Sequence, residues 1–337
     1  MSHYINVPVN ENGILFDPGM TNVVNEAMAV APFGFDDVFI YSHGWSTTAV
    51  GMMDSYNRFS VELASTILTF QGASGFPSPP RANLGIGIHW PSEITEDPNS
   101  PLSAFQLLTF YTMEHRADVV GRNAVYAMLR LLLSARISTG VPLRIFMLGH
   151  SFGCKVVCAA LQDMQTDVVG KTIVIPPDTQ FRVVLMEPAT DENNLESGDI
   201  YGSVCQIPNL RILITKSQQD LALRDWYVAA GRLTNLFNPR QALGFAGPSQ
   251  ATVDLFGGAD AFSLAANFTP TSMFGFKNRL VVVDLSAIHA ARVASGAWPG
   301  NGPGGGLSGQ HSDIFFSEIY CMVSGFLYSN ANASPAT

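Results

Sequence analysis

Ser151 sits at the centre of Gly149-His150-Ser151-Phe152-Gly153, and its flanks decide what chemistry it can do. Upstream, Leu143 to Leu148 is a short apolar run with branched and aromatic residues, which reads as a buried strand. Downstream, Phe152 to Met164 has helical periodicity. A Gly-x-Ser-x-Gly on a strand-to-helix turn is a nucleophile elbow: the turn is so tight that flanking side chains must vanish, and the serine is forced into a strained, exposed position. The helix that follows aims its N-terminal N–H groups and its dipole at a developing oxyanion. A serine hydroxyl is nevertheless a poor nucleophile at neutral pH. It needs an imidazole within hydrogen-bond reach, and the imidazole needs a carboxylate to fix its tautomer.

The rest of the composition narrows the field. Of 337 residues, 47% are hydrophobic and 13% charged, enough material for one large core with few surface charges to spare. The net charge of −9 and the lack of Lys/Arg runs argue against nucleic acid or an anionic membrane surface as partner. Mean hydropathy is +0.19, yet no stretch of 18 or more residues is free of charges or breakers, so a spanning helix is not expected. The N-terminal residues Met1 to Pro8 have neither a basic nor an apolar signal region, which makes a cytoplasmic location the expectation. Four cysteines do not form a disulfide framework; Cys154 and Cys158, one turn apart on the elbow helix, read as small buried apolar residues. Zinc-type spacings and a phosphate loop with lysine are missing, so neither a metal nor a cofactor is called for.

The elements that must position Ser151 alternate. Residues 4–16 suggest one or two short edge strands, Asp37 to Ser42 a strand, Asp54 to Phe70 a helix, and Leu84 to Trp90 a central strand closely approached by a helix. Residues 71–81 read as a loop. A long helix is expected from about Glu114 to Ile137, with Val119, Val120, Ala124, Met128, Leu131 and Leu132 facing the sheet. Further strands follow at Phe181 to Glu187, Leu210 to Thr215 and Arg279 to Leu285. Strands alternating with helices imply an α/β architecture: a mostly parallel central sheet covered on both faces, with the site at the carboxyl ends of its strands. Between 215 and 279 the alternation breaks. Residues 223–278 are rich in Phe and Gly, and read either as a cap or lid with an apolar underside or as an insertion packing its aromatics into the main core. The tail after Asn330 reads as frayed.

At the elbow, and at His43-Gly44-Trp45 directly after the strand ending at Ser42, the chain resembles the α/β-hydrolase family of serine esterases and lipases. The resemblance implies one α/β-hydrolase domain, in which residues 92–112 line a pocket. It implies that His43 and Gly44 shape an oxyanion loop and that the N–H groups of Trp45 and Phe152 form the oxyanion hole. The family's chain order places the histidine downstream of the serine, which leaves His289 and His311. His311 is favoured, because it follows a glycine-rich loop (Gly296–Gly309) and precedes a helical pattern over Ile314–Phe326, whereas His289 reads as a helix or strand flank. For the acid, Asp220, a few residues beyond the strand at 210–215, is favoured over Asp191 and Glu187, which hold the corresponding place after the preceding strand. The implied activity is hydrolysis of a small-molecule carboxylic ester with a hydrophobic acyl or aromatic group. Lipase, amidase or thioesterase action on the same triad, or a non-catalytic binding protein of this fold, are the alternatives. Substrate identity and homo-oligomer formation are left open.

Overall fold

The computed structural model describes residues 3–15, 35, 37–45, 47, 49–70, 83–92, 106–139, 142–229, 240–265, 276–296, 311–312 and 314–329. The expectations for residues 71–81, for 93–105 of the pocket segment, for most of the glycine-rich loop at 296–309, and for the tail after 330 lie outside the described residues, as do 230–239 and 266–275 of the insertion.

Eight strands form one sheet: β1 (His3–Pro8), β2 (Asp37–Ser42), β3 (Asn83–His89), β4 (Arg144–His150), β5 (Gln180–Met186), β6 (Leu210–Lys216), β7 (Ala259–Ser263) and β8 (Leu280–Asp284). Their order is β1-β3-β2-β4-β5-β6-β8-β7 and every pairing is parallel. All eight carboxyl ends therefore open on one edge, where β2, β4, β5 and β6 release His43, Ser151, Glu187 and Ser217 side by side.

Helices cover both faces, so the central strands are buried throughout and read as continuous apolar runs. Within each run the side chains still alternate. Val38, Ile40, Ile145, Met147, Val183 and Leu185 face one core together with α2 (Gln106–Val120), α3 (Tyr126–Thr139) and α4 (Gly153–Val169). Phe39, Tyr41, Phe146, Leu148, Val184 and Met186 face the other core, built with α1 (Ala49–Phe70), α5 (Ser286–Ser295) and α6 (Ser317–Tyr328).

Three expectations change. The strand at Asn83–His89 is one in from the edge rather than central, flanked by β1; the glycine reading holds there, because a Cβ on Gly87 would lie 2.5 Å from the Tyr56 ring of α1. The long helix begins at Gln106 instead of near Glu114, and Leu131 is exposed while Val119 is only half-buried. The exposure of Leu131 follows from a π-turn at Gly121–Val125 between α2 and α3, which takes up an extra residue and shifts the sequence phase between the two halves. The buried positions are accordingly Met113, Ala117 and Val120 before it and Met128, Leu129, Leu132 and Leu133 after it. Within 223–278, the described residues 259–263 form β7, paired with β8 at the sheet edge; its half-exposed sequence, Ala-Asp-Ala-Phe-Ser, carries no strand periodicity.

Among the described residues, no helix is long and apolar enough to cross a membrane.

Candidate active site

The turn after β4 is built by close approach. A Cβ on Gly149 would lie 2.5 Å from the Gly153 carbonyl oxygen, and one on Gly153 would lie 2.1 Å from the Ser42 carbonyl oxygen at the end of β2. Real Cβ atoms do not come that close, so both glycines are required. Between them Ser151 adopts φ +55°, an uncommon conformation for a side-chain-bearing residue. It is held there from β5: the Ser151 N–H donates to the Met186 carbonyl (3.0 Å), and the Ser151 carbonyl accepts from Ala189 (3.3 Å) and Cys154 (3.1 Å).

His311, just upstream of α6, returns to this turn. Its Nε2 accepts the Ser151 hydroxyl at 2.8 Å, and its Nδ1–H donates to Asp220 Oδ2 at 2.6 Å. Asp220 is fully buried, and its other oxygen accepts the Leu223 N–H (2.9 Å). The structure thus brings together the favoured serine, histidine and acid. Asp191 lies elsewhere, accepting the Tyr227 hydroxyl at 2.8 Å and facing Arg240.

The loop after β2 lies against the serine: a Cβ on Gly44 would stand 2.7 Å from Ser151 Cβ. His43 fixes that loop. Its ring stacks on Trp90 (5.3 Å, 9°), Nδ1–H donates to the Gly44 carbonyl (2.8 Å), and Nε2 accepts the Trp90 N–H (3.4 Å). Burial depresses its pKa to about 3, so the ring is neutral, as this pairing needs. The N–H of Phe152, at the start of α4, is one of the donors a helix leaves without an intrahelical partner. The Trp45 ring packs near Phe152 (6.1 Å), and Phe110 packs against both Phe152 (4.9 Å) and Tyr227 (5.5 Å), an aromatic cluster around the residue that follows the serine.

In the sequence His150 is only a flanking residue of the elbow, yet its Nε2–H donates to the His311 carbonyl (2.7 Å) and holds the residue that carries the imidazole. Its pKa is also lowered to about 3, by burial and then by the neighbouring His311. The signal was in the strand parity: position 150 shares the face of Phe146 and Leu148, the same face that α6, just after His311, covers. Glu187, considered above only as an alternative acid, is fully buried at the end of β5. One of its carboxylate oxygens lies 3.7 Å from His289 Nδ1 of α5.

His150, Glu187 and His311 each offer a potential metal-ligand atom, all within 4.8 Å of one another. Both His311 nitrogens and His150 Nε2 are already engaged in the hydrogen bonds above. A zinc ion, with ligands at about 2.0–2.1 Å, would require the three donors to draw together. The cysteines are free, and Cys154 and Cys158 are buried in the α4 core as expected from their spacing.

No family model matches the chain, and no curated protein matches it in sequence.

Proposed function

We propose that this chain is a serine hydrolase of the α/β-hydrolase type that cleaves carboxylic esters through an acyl-enzyme. The observation that carries the reading is the unbroken chain Ser151–His311–Asp220, at 2.8 and 2.6 Å, on a strained serine at the carboxyl edge of a parallel sheet. Ser151 Oγ attacks the ester carbonyl carbon while its proton passes to His311 Nε2. The tetrahedral oxyanion is held by the N–H groups of Trp45 and Phe152 at the mouth of α4. As the C–O bond to the alcohol breaks, His311 returns the proton to the leaving oxygen. Water, deprotonated by the same nitrogen, then releases the acid and restores Ser151. Asp220, buried beside Nδ1, keeps His311 in the tautomer that can accept the serine proton and stabilises the imidazolium. The aromatic cluster of Trp45, Phe110 and Tyr227 supports an apolar acyl group rather than a charged or peptide substrate.

The test is hydrolysis of p-nitrophenyl esters from acetate to palmitate, together with fluorophosphonate labelling. Wild type and His115→Ala, an exposed position on α2, should hydrolyse and be labelled; Ser151→Ala should lose both, and His311→Ala nearly all turnover. A wild type that is inert on every ester and unlabelled at Ser151 would refute the reading.

A further inference from the structure

Two neighbouring strands end in the same unusual way. β4 ends in Ser151 at φ +55° and β5 in Glu187 at φ +44°. A glutamate gains nothing from a left-handed backbone, and such residues cost on the order of 1–3 kcal/mol each unless their surroundings over-determine them. Here they do. The Glu187 N–H donates to Thr215 Oγ1 of β6 (2.9 Å), and the helical turn Leu243–Ala246 presses on the Glu187 backbone so closely that a Cβ on Gly244 would sit 2.4 Å from its carbonyl carbon. This conformation places the carboxyl group among three histidines. There one of its oxygens lies 3.7 Å from His289 Nδ1, which is itself 2.9 Å from Ser217 Oγ, and Glu187 lies within 4.8 Å of the ring nitrogens of both His150 and His311. Glu187, His289 and Ser217 are all fully buried.

We infer that Glu187 is a positioning residue for His311: a second buried carboxylate that faces the imidazole from the β5 side while Asp220 faces it from the β6 side, with His289 and Ser217 holding Glu187 in place. The inference rests on the hydrolase reading above and extends it. During turnover His311, whose side chain is only 12% exposed, becomes a cation, and an ionised Glu187 within 4.8 Å favours that charge. Among the described residues, the titratable groups facing His311 are Asp220 after β6, Glu187 after β5, and His150 at the end of β4, with His43 behind His150. The two other histidines are neutral through burial, so neither adds positive charge beside the His311 ring.

The experiment reads the His311 ring directly, by NMR titration of its imidazole nitrogens in the intact, unreacted chain, alongside the acid limb of kcat/KM on a p-nitrophenyl ester. Glu187→Gln keeps the volume and removes the charge. The expected result is a His311 titration midpoint, and an acid limb, lower by about one pH unit. In an Asp220→Asn background, adding Glu187→Gln should remove about another tenfold of the residual rate. If Glu187→Gln does not fold, His289→Leu carries the test: it keeps the glutamate and removes the ring that holds it, so the His311 midpoint should fall. A midpoint unmoved by the variant that folds overturns the role of Glu187 while leaving the hydrolase reading intact. An inert wild type with an unlabelled Ser151 overturns the hydrolase reading itself, and with it any catalytic sense of Glu187.

Discussion

Asp220→Asn is the substitution that most directly weighs the site. The Asp220 carboxylate is fully buried and 2.6 Å from His311 Nδ1, so salt screens it little. When His311 takes the serine proton, the new cation and the carboxylate have charge centres about 4 Å apart. At an effective dielectric of about 20 that interaction is worth about 4 kcal/mol, or about a thousandfold in rate. The tautomer adds to this. An asparagine that turns its amide N–H toward Nδ1 would leave the proton on Nε2, where it cannot accept from Ser151. Folding should suffer little, because the asparagine oxygen can still accept the Leu223 N–H and the volume is unchanged; the cost is about 1 kcal/mol. The assay is kcat/KM on the best p-nitrophenyl ester at pH 8, with urea unfolding of the same sample. A loss of less than about tenfold with an intact fold would show that Asp220 does not orient the imidazole.

Further outcomes follow from other contacts. Gly153→Ala must separate α4 from the end of β2, since its Cβ would meet the Ser42 carbonyl oxygen at 2.1 Å, and should cost about 3 kcal/mol in urea unfolding along with most of the activity. His43 is neutral in the fold with its pKa depressed to about 3, whereas the unfolded chain protonates near 6.5. Its contribution is therefore fully present above pH 6.5 and lost as pH falls, by about 1.4 kcal/mol per pH unit; a His43→Asn variant should show a slope flatter by that amount between pH 6 and 4, and an unchanged slope would contradict the assignment. Arg144 grips the fully buried Asp37 through two hydrogen bonds of 2.7 and 2.8 Å at the opposite edge of the sheet. Arg144→Ala should cost about 3 kcal/mol in stability while leaving KM for esters unchanged.

The strands were legible because burial on both faces writes apolar runs such as Ile145 to Leu148 and Val183 to Met186 into the chain, with no competing helical period. The elbow was legible because its glycines are forced by backbone approaching backbone, a constraint no other residue satisfies. Asp220 and His311 could be ranked from chain order but not located, since ninety-one positions separate them and only the fold brings them to 2.6 Å. β7 was not legible: an edge strand half-exposed on both faces needs no alternation and gains its place by pairing with β8. His150 and Glu187 were underread for one reason. Each ends a strand, and its importance lies in a side-chain direction set by parity in one case and by a left-handed backbone in the other.

The π-turn at Gly121–Val125 makes chain length itself a constraint. Each residue of an α-helix advances the helix by about 100°. The π-turn takes up one residue without that advance, so deleting one residue there would leave 106–139 as an unbroken α-helix with both halves still facing the core, whereas one more residue carried in the helix would rotate one half by about that angle against the other. If α3 kept Met128 and Leu132 in the core, α2 would turn Phe110 away from Phe152, and would carry Glu114 and Asp118 away from the buried Lys155 that they flank at 3.1 and 3.6 Å. An insertion or deletion in an exposed loop leaves such a register untouched. An insertion in this helix reaches Phe110 beside Phe152, so homologous chains that keep Phe110 there should have either this number of residues between it and Met128 or one fewer, with a straight α-helix in place of the π-turn.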